Sequence, residues 1–353
     1  MSRNETPKTQ VIHRVRISVA VTAIAVAGLA LAGCGSAPAT GGQAAVQTIG
    51  MSGAFLTDPF QVVLVKQVEQ NAKGQGLNFL PATNAEADPG KQVTDISTLL
   101  TQNISGLVVA PVDSSAVVPG LDQAKAAGVP VVTVDVPPAG GEAYMVVRSD
   151  SYGMGQKACE SLGRDIGSTG TVLNLQGDLA SAAGLERSNG FTDCMAKNYP
   201  GIKVISRPTD WVASKAADTA QTVVGTTKLD GIFLASDSVM ADSVSNVLKN
   251  QDKWAKTGEP GHIHVATIDG TPKALGLVKD GYFDTVISQP VDLYAKYSVA
   301  YLKDAIAGKK HAPGPTDHGS EIIEKDGQLT DVLPSPVVTS KNVGDPALWG
   351  NNL

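Results

Sequence analysis

Residues 107–135 read LVVAPVDSSAVVPGLDQAKAAGVPVVTVD. Leu107-Val108-Val109-Ala110 is a short run without a polar residue. Val131–Val134 is a second short run, β-branched throughout with Thr133 its one hydroxyl, closed by Asp135. Between them, Val117–Ala127 has the length of a helix and stops at Gly128. A continuous apolar strand has no solvent face, so both of its faces must be covered. A strand, a helix and a strand of this kind imply a parallel sheet with helices on both sides.

The same unit extends outward in both directions. Upstream, Val46–Met51 reads as a strand. Asp58-Pro59 opens a helix to Lys73, since Asp caps well and Pro suits the first turn. Leu77–Pro81 is a strand, and Pro89–Gln102 is a helix with Val93, Ile96, Leu99 and Leu100 on one face. Downstream, strands are expected at 144–148, 171–175, 203–207, 231–234, 264–268 and 285–288. Helices are expected over 150–167, 182–198, 214–226, 238–250, 271–279 and 291–307. A tail rich in Pro, Gly and Asp follows, with short strand-like pieces at 321–323 and 337–339. The expected class is α/β, with two doubly wound parallel-sheet lobes.

Composition agrees. Of 353 residues, about 310 follow the leader and tether, enough for two lobes, and hydrophobic and charged contents of 42% and 18% are ordinary for a globular protein. The formal charge is −6; residues 1–33 carry Arg3, Lys8, Arg14 and Arg16 against Glu5, a net +3, so the remainder carries −9. An acidic body without a basic block argues against nucleic acid as a partner.

The chain begins with a basic leader (His13, Arg14, Arg16), an apolar run from Ile17 to Leu31, and then small residues, the order of an export signal. The run is short for a membrane span, which needs about 20 apolar residues. It ends in Leu31-Ala32-Gly33-Cys34, which resembles the lipobox of bacterial lipoproteins. That resemblance implies cleavage before Cys34, lipid on its thiol and an extracytoplasmic protein anchored to the cell membrane. Residues 1–33 are then a signal peptide. Residues 34–45 are a flexible Gly/Ala/Ser/Pro/Gln tether. Cys159 and Cys194 remain. They are either bridged, which an exported compartment permits, or buried as free thiols, and their separation decides.

In doubly wound sheets, ligands lie beyond the carboxyl ends of the strands. Those ends carry Asp58 and Phe60, Asp113, Asp135, Asp150, Gln176-Gly177 with Arg187 on the next helix, Asp210-Trp211, Ser236-Asp237, Asp269-Gly270 and Gln289. Carboxylates, amides and Arg can pair with adjacent hydroxyls, and an aromatic face packs on the C–H side of a polyol. Taken singly, Asp113 and Asp237 read as turn residues and Asp150 as a helix cap. Their shared edge of the sheets is what points to a site for a small, neutral, hydroxyl-rich solute.

The order and spacing of several pieces resemble the ribose/galactose-type periplasmic binding proteins, the sugar receptors of ABC importers. The pieces are D-P-F at Asp58–Phe60, V-P-V-V-T-V-D ending at Asp135, S-D-S-Y-G-M-G from Ser149, L-Q-G at Leu175–Gly177 and E-R-S-N-G-F at Glu186–Phe191. L-A-S-D at Leu234–Asp237, I-D-G-T-P at Ile268–Pro272 and S-Q-P at Ser288–Pro290 complete the set. The resemblance covers almost all of the chain past the tether. It implies the type I periplasmic binding protein fold, with lobes of 46–149 plus 290–319 and 150–289 plus 320–353 joined by three crossings near 148–150, 288–290 and 319–321. It implies ligand-binding roles for Asp58, Phe60, Asp135, Arg187, Trp211, Ser236, Asp269 and Gln289. Two positions depart from ribose receptors: Val136 stands where an Arg follows the strand-end Asp, and Ser236 where an Asn is usual. A pentose, a sugar alcohol or a smaller polyol fits that pattern. The implied partner is an importer permease, and the implied state is a monomer that needs no cofactor. A ligand-presenting receptor for a sensor kinase or chemoreceptor is the alternative.

Enzymatic readings lack their motifs. There is no G-x-x-x-x-G-K-[ST] loop and no G-x-G-x-x-G after the first strand. Ser52 lacks the glycine spacing of a nucleophile elbow. Asp58, Asp135 and Asp269 are numerous enough for a glycosidase pair, but their neighbours read as hydrogen-bonding surroundings. His262 and His264 share a strand face without a Cys or carboxylate motif to complete a metal set. With His311 and His318, they read as solvent-edge residues, and no metal is expected.

Overall fold

The computed structural model describes residues 46–167 and 169–352. The leader, Cys34 and the tether lie outside the described residues. The first lobe is built in order from β1 (Thr48–Gly53), α1 (Pro59–Gly74), β2 (Asn78–Phe79), β3 (Thr83–Asn84), α2 (Pro89–Leu100), β4 (Gly106–Val109), α3 (Val118–Ala126), β5 (Val131–Val134) and β6 (Met145–Ser149). The second follows with α4 (Ser151–Ile166), β7 (Gly170–Gln176), α5 (Ala182–Asn198), β8 (Ile202–Pro208), α6 (Ala213–Thr226), β9 (Gly231–Leu234), α7 (Asp237–Asn250), β10 (His264–Asp269), α8 (Pro272–Lys279) and β11 (Thr285–Ser288). The chain then returns with α9 (Val291–Ile306), β12 (Gly314–Pro315), β13 (Glu321–Lys325), β14 (Gln328–Leu333) and β15 (Val337–Val338), and ends the described part in a 3-10 turn at Trp349–Asn351.

Both lobes share one strand order. The first five parallel neighbours of the first sheet run β2-β1-β4-β5-β6, and those of the second run β8-β7-β9-β10-β11. In each, the chain starts in an inner strand, steps outward once, and then reverses. The reversal leaves a crevice at the carboxyl ends, between β1 and β4 and between β7 and β9. β4, β5, β9 and β11 are buried at every residue, as strands covered on both faces must be. Helix α9 covers the first sheet beside α1, with Tyr294, Val299 and Leu302 packed among Leu64 and Val68.

The return corrects the expected lobe boundary. Residues 321–333 do not join the second lobe. β13 and β14 form an antiparallel hairpin, and β14 pairs in parallel with β6 at the edge of the first sheet. The third crossing therefore falls at 334–336, before β15 pairs with β11, and not at Gly319–Glu321. The hairpin turn is Asp326-Gly327, with φ of 53° and 75°, the left-handed pair that a two-residue turn needs.

Helices α4 and α5 meet backbone to backbone. A Cβ at Gly155 would lie 2.1 Å from Arg187 O, and one at Gly190 would lie 2.0 Å from Tyr152 O. Any side chain there would force the helices apart. A Cys159–Cys194 disulfide joins the same two helices. Arg187 is thus held on a helix with little freedom to shift. Among the described residues, no helix is long and apolar enough to cross a membrane.

Candidate functional site

The two crevices face one another and enclose a cavity of about 30 Å³. All eight residues expected from the sequence line it. The first turn of α1 supplies Phe60 and Gln61 together with its cap, Asp58, and the residues just after β5 are Asp135 and Val136. The second lobe supplies Ser181 and Arg187 from α5 and its approach, Trp211 before α6, Ser236 before α7, and Asp269 at the end of β10. Gln289 comes from the second crossing.

Three of these residues are held in backbone conformations that L side chains avoid. The φ angles are 69° at Asp135, 55° at Trp211 and 119° at Asp269. Strain of this kind costs on the order of 1–3 kcal/mol per residue and persists where the surroundings fix it. Here it turns side chains from strand ends into the space between the lobes. Trp211 closes over Gly177, where a Cβ would lie 2.0 Å from the indole ring, so the glycine of Leu175–Gly177 makes room for the aromatic. The Arg187 guanidinium lies 5.7 Å from the centre of that indole ring, within reach of a cation–π attraction.

Asp269 is the hub. Its Oδ2 accepts from Ser236 Oγ at 2.6 Å, Ser238 Oγ at 2.9 Å and Ser238 N at 3.2 Å. Its Oδ1 accepts from Gln289 Nε2 at 2.6 Å and lies 3.6 Å from Arg187 Nη1. Arg187 also donates to the Ala235 carbonyl at 2.8 Å. Asp58 caps α1 by accepting from Phe60 N at 3.0 Å, so its cap role and its place at the cavity coexist.

Three carboxyls thus face one guanidinium. Burial, with Asp269 adding to it, pushes Asp58 up to about 7. Burial also pushes Asp135 up to about 6, against the pull of Arg187. Near neutral pH, Asp58 is divided between its protonated and ionised forms. The cleft can hold that much acid because two of its three carboxyls have lost part of their tendency to ionise.

Four buried polar atoms of cavity-wall residues have no partner among the described residues: Gln61 Oε1, Asp135 Oδ1, Ser181 Oγ and Arg187 Nε. Buried polar groups are nearly always paired, because each unpaired one costs about 1–3 kcal/mol. Acceptors and donors from both lobes therefore converge unspent on one small space. Between them, Val112, Val136 and Val239 supply apolar wall.

Two expected residues do other work as well. The Ser236 hydroxyl is committed to Asp269 and, as the cap of α7, accepts from Val239 N. Phe60 is buried in the first core, with its ring edge-on to Tyr294 and Trp349 at 6.2 and 6.0 Å. Gln61 and Ser181 were not singled out from the sequence. The signal for Gln61 was a polar residue on the buried face of α1, alongside Phe60, Leu64, Val68 and Ala72. Asp113 and Asp150 hold turn and cap N–H groups, as read from the sequence. Asp237, read as a turn residue, instead accepts from Gly270 N and Thr271 N in the loop after β10. His262 and His264 differ from expectation, because Asp284 comes to them from twenty residues away.

A larger groove of about 1150 Å³ runs beside the hinge strands. Its charges answer one another: Arg148 pairs with Glu186, Glu186 with Lys325 at 2.9 Å, and Lys157 with the Ser335 carbonyl at 2.7 Å. These contacts join the lobes, while Ser149 Oγ and Gln328 Oε1 on residues of the groove wall are buried without a partner among the described residues.

Two doubly wound lobes, crossed three times by the chain and closing on a polar cavity, define the type I periplasmic binding protein fold. Residues 49–310 match the family model for the periplasmic binding protein domain, and the chain belongs to that family. It is a solute-binding protein of an extracytoplasmic family and not an enzyme. The ribose import binding protein of Bacillus subtilis (strain 168) is 28% identical over 77% of this chain and 86% of its own. The xylitol-binding protein of Mycolicibacterium smegmatis is 24% identical over 91% of this chain and 89% of its own. Among solved structures, an ABC transporter solute-binding protein from Mycobacterium smegmatis with bound glycerol matches with a TM-score of 0.74 at 25% identity, over 85% of this chain and 96% of that one.

Proposed function

We propose that the protein captures a small neutral polyol, such as a pentose, a sugar alcohol or a shorter polyol, and delivers it to an ABC importer. The observation that carries this reading is the set of four unpaired buried atoms on the cavity wall. Hydroxyl groups both donate and accept, so one polyol can serve Gln61 Oε1, Asp135 Oδ1, Ser181 Oγ and Arg187 Nε together. The closed cleft retains only about 30 Å³, room for about two waters, so a polyol enters as the lobes part. Val136 gives an apolar wall where a ribose receptor has an Arg, which favours a ligand with one less polar group to grip. The relatives named for ribose import and xylitol binding, and the structure with bound glycerol, span the same chemical range.

The ligand is held by groups from both lobes, so it binds the closed arrangement better than the open one. It shifts the hinge equilibrium by that difference, and the permease reads the closed shape. Cys34 carries the lipid that keeps the receptor at the membrane. Cys34→Ala is expected to release the protein into the medium, and retention at the membrane would refute the anchor.

A thermal-shift screen against pentoses, hexoses and sugar alcohols tests the ligand. At 100 times its Kd, a ligand adds about 2.7 kcal/mol and raises the melting temperature by a few degrees. One polyol that stabilises the protein, and does not stabilise Arg187→Ala, supports the reading. Silence across all three classes would overturn it.

A further inference from the structure

His262, His264 and Asp284 meet at the amino-terminal ends of β10 and β11. This is the pole of the second lobe away from the strand ends that bear the cavity. His262 Nε2 lies 2.9 Å from Asp284 Oδ2. His264 Nδ1 lies 3.3 Å from Asp284 Oδ1. The three donor atoms all fall within 4.8 Å of one another. The side chains of His262 and Asp284 are 5% and 8% exposed, and that of His264 is 25% exposed.

The hydrogen bonds around His262 constrain what lies between the rings and the carboxylate. His262 Nδ1 is 2.9 Å from the Ala255 carbonyl. A carbonyl only accepts, so Nδ1 carries the hydrogen. That leaves Nε2 facing Asp284, which when ionised also only accepts. A neutral ring would point a lone pair at a carboxylate. Something positive must therefore sit at Nε2, either a proton or a metal ion.

His264 separates the two. Its Nδ1 is a buried atom without a hydrogen-bond partner, although it is close to Asp284 Oδ1. A proton on His262 leaves this nitrogen unused, whereas a metal ion shared by the three side chains uses it. The outer contacts are those of a metal centre. The His262 ring is oriented by a backbone carbonyl, and Asp284 is fixed by Val265 N at 2.8 Å and Thr257 Oγ1 at 2.8 Å. In tetrahedral zinc, with bonds of about 2.0–2.1 Å, neighbouring ligand atoms stand ~3.3 Å apart. The separations of 2.9 Å to Asp284 Oδ2 and 3.3 Å to Oδ1 lie just below and at that edge. Two imidazoles with one carboxylate suit zinc, cobalt or nickel. Magnesium and calcium ask for oxygen ligands.

We infer that His262 Nε2, His264 Nδ1 and the Asp284 carboxylate form a site for one zinc-class divalent ion, with a fourth position open to water. The ion fastens the loop before β10 to the start of β11. It has no part in gripping the polyol, so the two sites bind independently.

The test uses protein purified without a polyhistidine tag and stripped with EDTA. It is titrated with ZnCl2 by calorimetry and with CoCl2 by visible absorption. The expected result is one equivalent of Zn2+ bound, no competition from MgCl2, and a cobalt spectrum of low-coordinate, nitrogen-ligated type. His264→Ala, the most exposed of the three positions, is expected to weaken binding at least about tenfold, with an unchanged circular dichroism spectrum and unchanged polyol binding. Asp284→Asn should do the same, and His311→Ala should leave binding intact. Absence of a stoichiometric site overturns the inference. So does Zn2+ binding that survives His264→Ala unchanged, or a melting temperature that responds to pH but not to metal, since a proton would then be the only cation held there.

Discussion

Tyr294 Oη donates to Gln289 Oε1 at 3.1 Å while accepting the N–H of Ser149 at 2.7 Å. Ser149 and Gln289 stand at the first two crossings between the lobes, and Gln289 Nε2 reaches Asp269 in the cavity. One phenol on a first-lobe helix thus ties the hinge strands to the carboxylate at the centre of the site.

Tyr294→Phe keeps the ring in its core and removes only this tie. It leaves Ser149 N and Gln289 Oε1 buried without their partner, at a cost of about 1–3 kcal/mol. The melting temperature is expected to fall by several degrees, and ligand affinity to fall with it as Gln289 loosens. An unchanged melting curve would show that the tie carries no weight.

Among the described residues, Arg187 is the one cation on the cavity wall, 3% exposed and 3.6 Å from Asp269. Arg187→Ala removes the guanidinium proposed to grip the ligand and leaves Asp135 and Asp269 without their shared countercharge. Polyol affinity measured by calorimetry should drop about 100-fold, roughly 3 kcal/mol. Arg187→Lys should recover little, because an ammonium lacks the planar fork that packs under Trp211. Binding that stays within tenfold of the parent would take Arg187 out of the site.

Asp58 ties stability to pH in a definite direction. Its folded pKa of about 7 lies above the ordinary 3.8. The folded state therefore holds the proton more tightly, and this contribution is complete below about pH 4 and is lost as pH rises through 7. Asp58→Asn mimics the neutral form and keeps the cap on α1. The variant should match the parent in melting temperature near pH 4 and exceed it near pH 8, by roughly 2 kcal/mol in stability. A difference that does not change with pH would refute the assignment.

Glu186 holds Arg148 and Lys325 across the hinge. Burial alone would raise its pKa, but the two cations outweigh burial and lower it. The pair is therefore formed above about pH 4.5 and lost in acid. Glu186→Gln leaves the Arg148 guanidinium, 3% exposed, without its countercharge. The ligand-free protein should open, seen as a larger radius of gyration in solution scattering, and bind its polyol about fivefold more weakly, as expected for roughly 1 kcal/mol. Identical scattering curves would show that the pair does not hold the lobes.

The regular part of the fold was legible because its strands are uniformly apolar and its helices have clear stops. β5, β9, β11 and α5 fall at the residues expected from the sequence. β14 was not seen, because Gln328–Leu333 mixes Thr330 and Asp331 with Val and Leu. Asp331 is fully buried, and Tyr301, His318 and Ser320 take up its oxygens. The Asp326-Gly327 turn was the available signal for that hairpin. In the cavity, short polar residues at strand ends could be placed by rule. Gln61 and Ser181 could not, since a single polar residue on a buried helix face or a helix cap has many other uses. The left-handed φ of Asp135, Trp211 and Asp269 follows from packing between distant segments, which no local pattern records.

Trp349 donates its indole N–H to the Asp269 carbonyl at 2.9 Å and sets its ring against Phe60. The backbone of the central carboxylate is thus pinned by a residue eleven positions beyond β15, the last strand of either sheet. A chain cut between β15 and Trp349 would keep every strand and lose this pin. It is expected to stay folded over most of its length and to bind the proposed solute poorly.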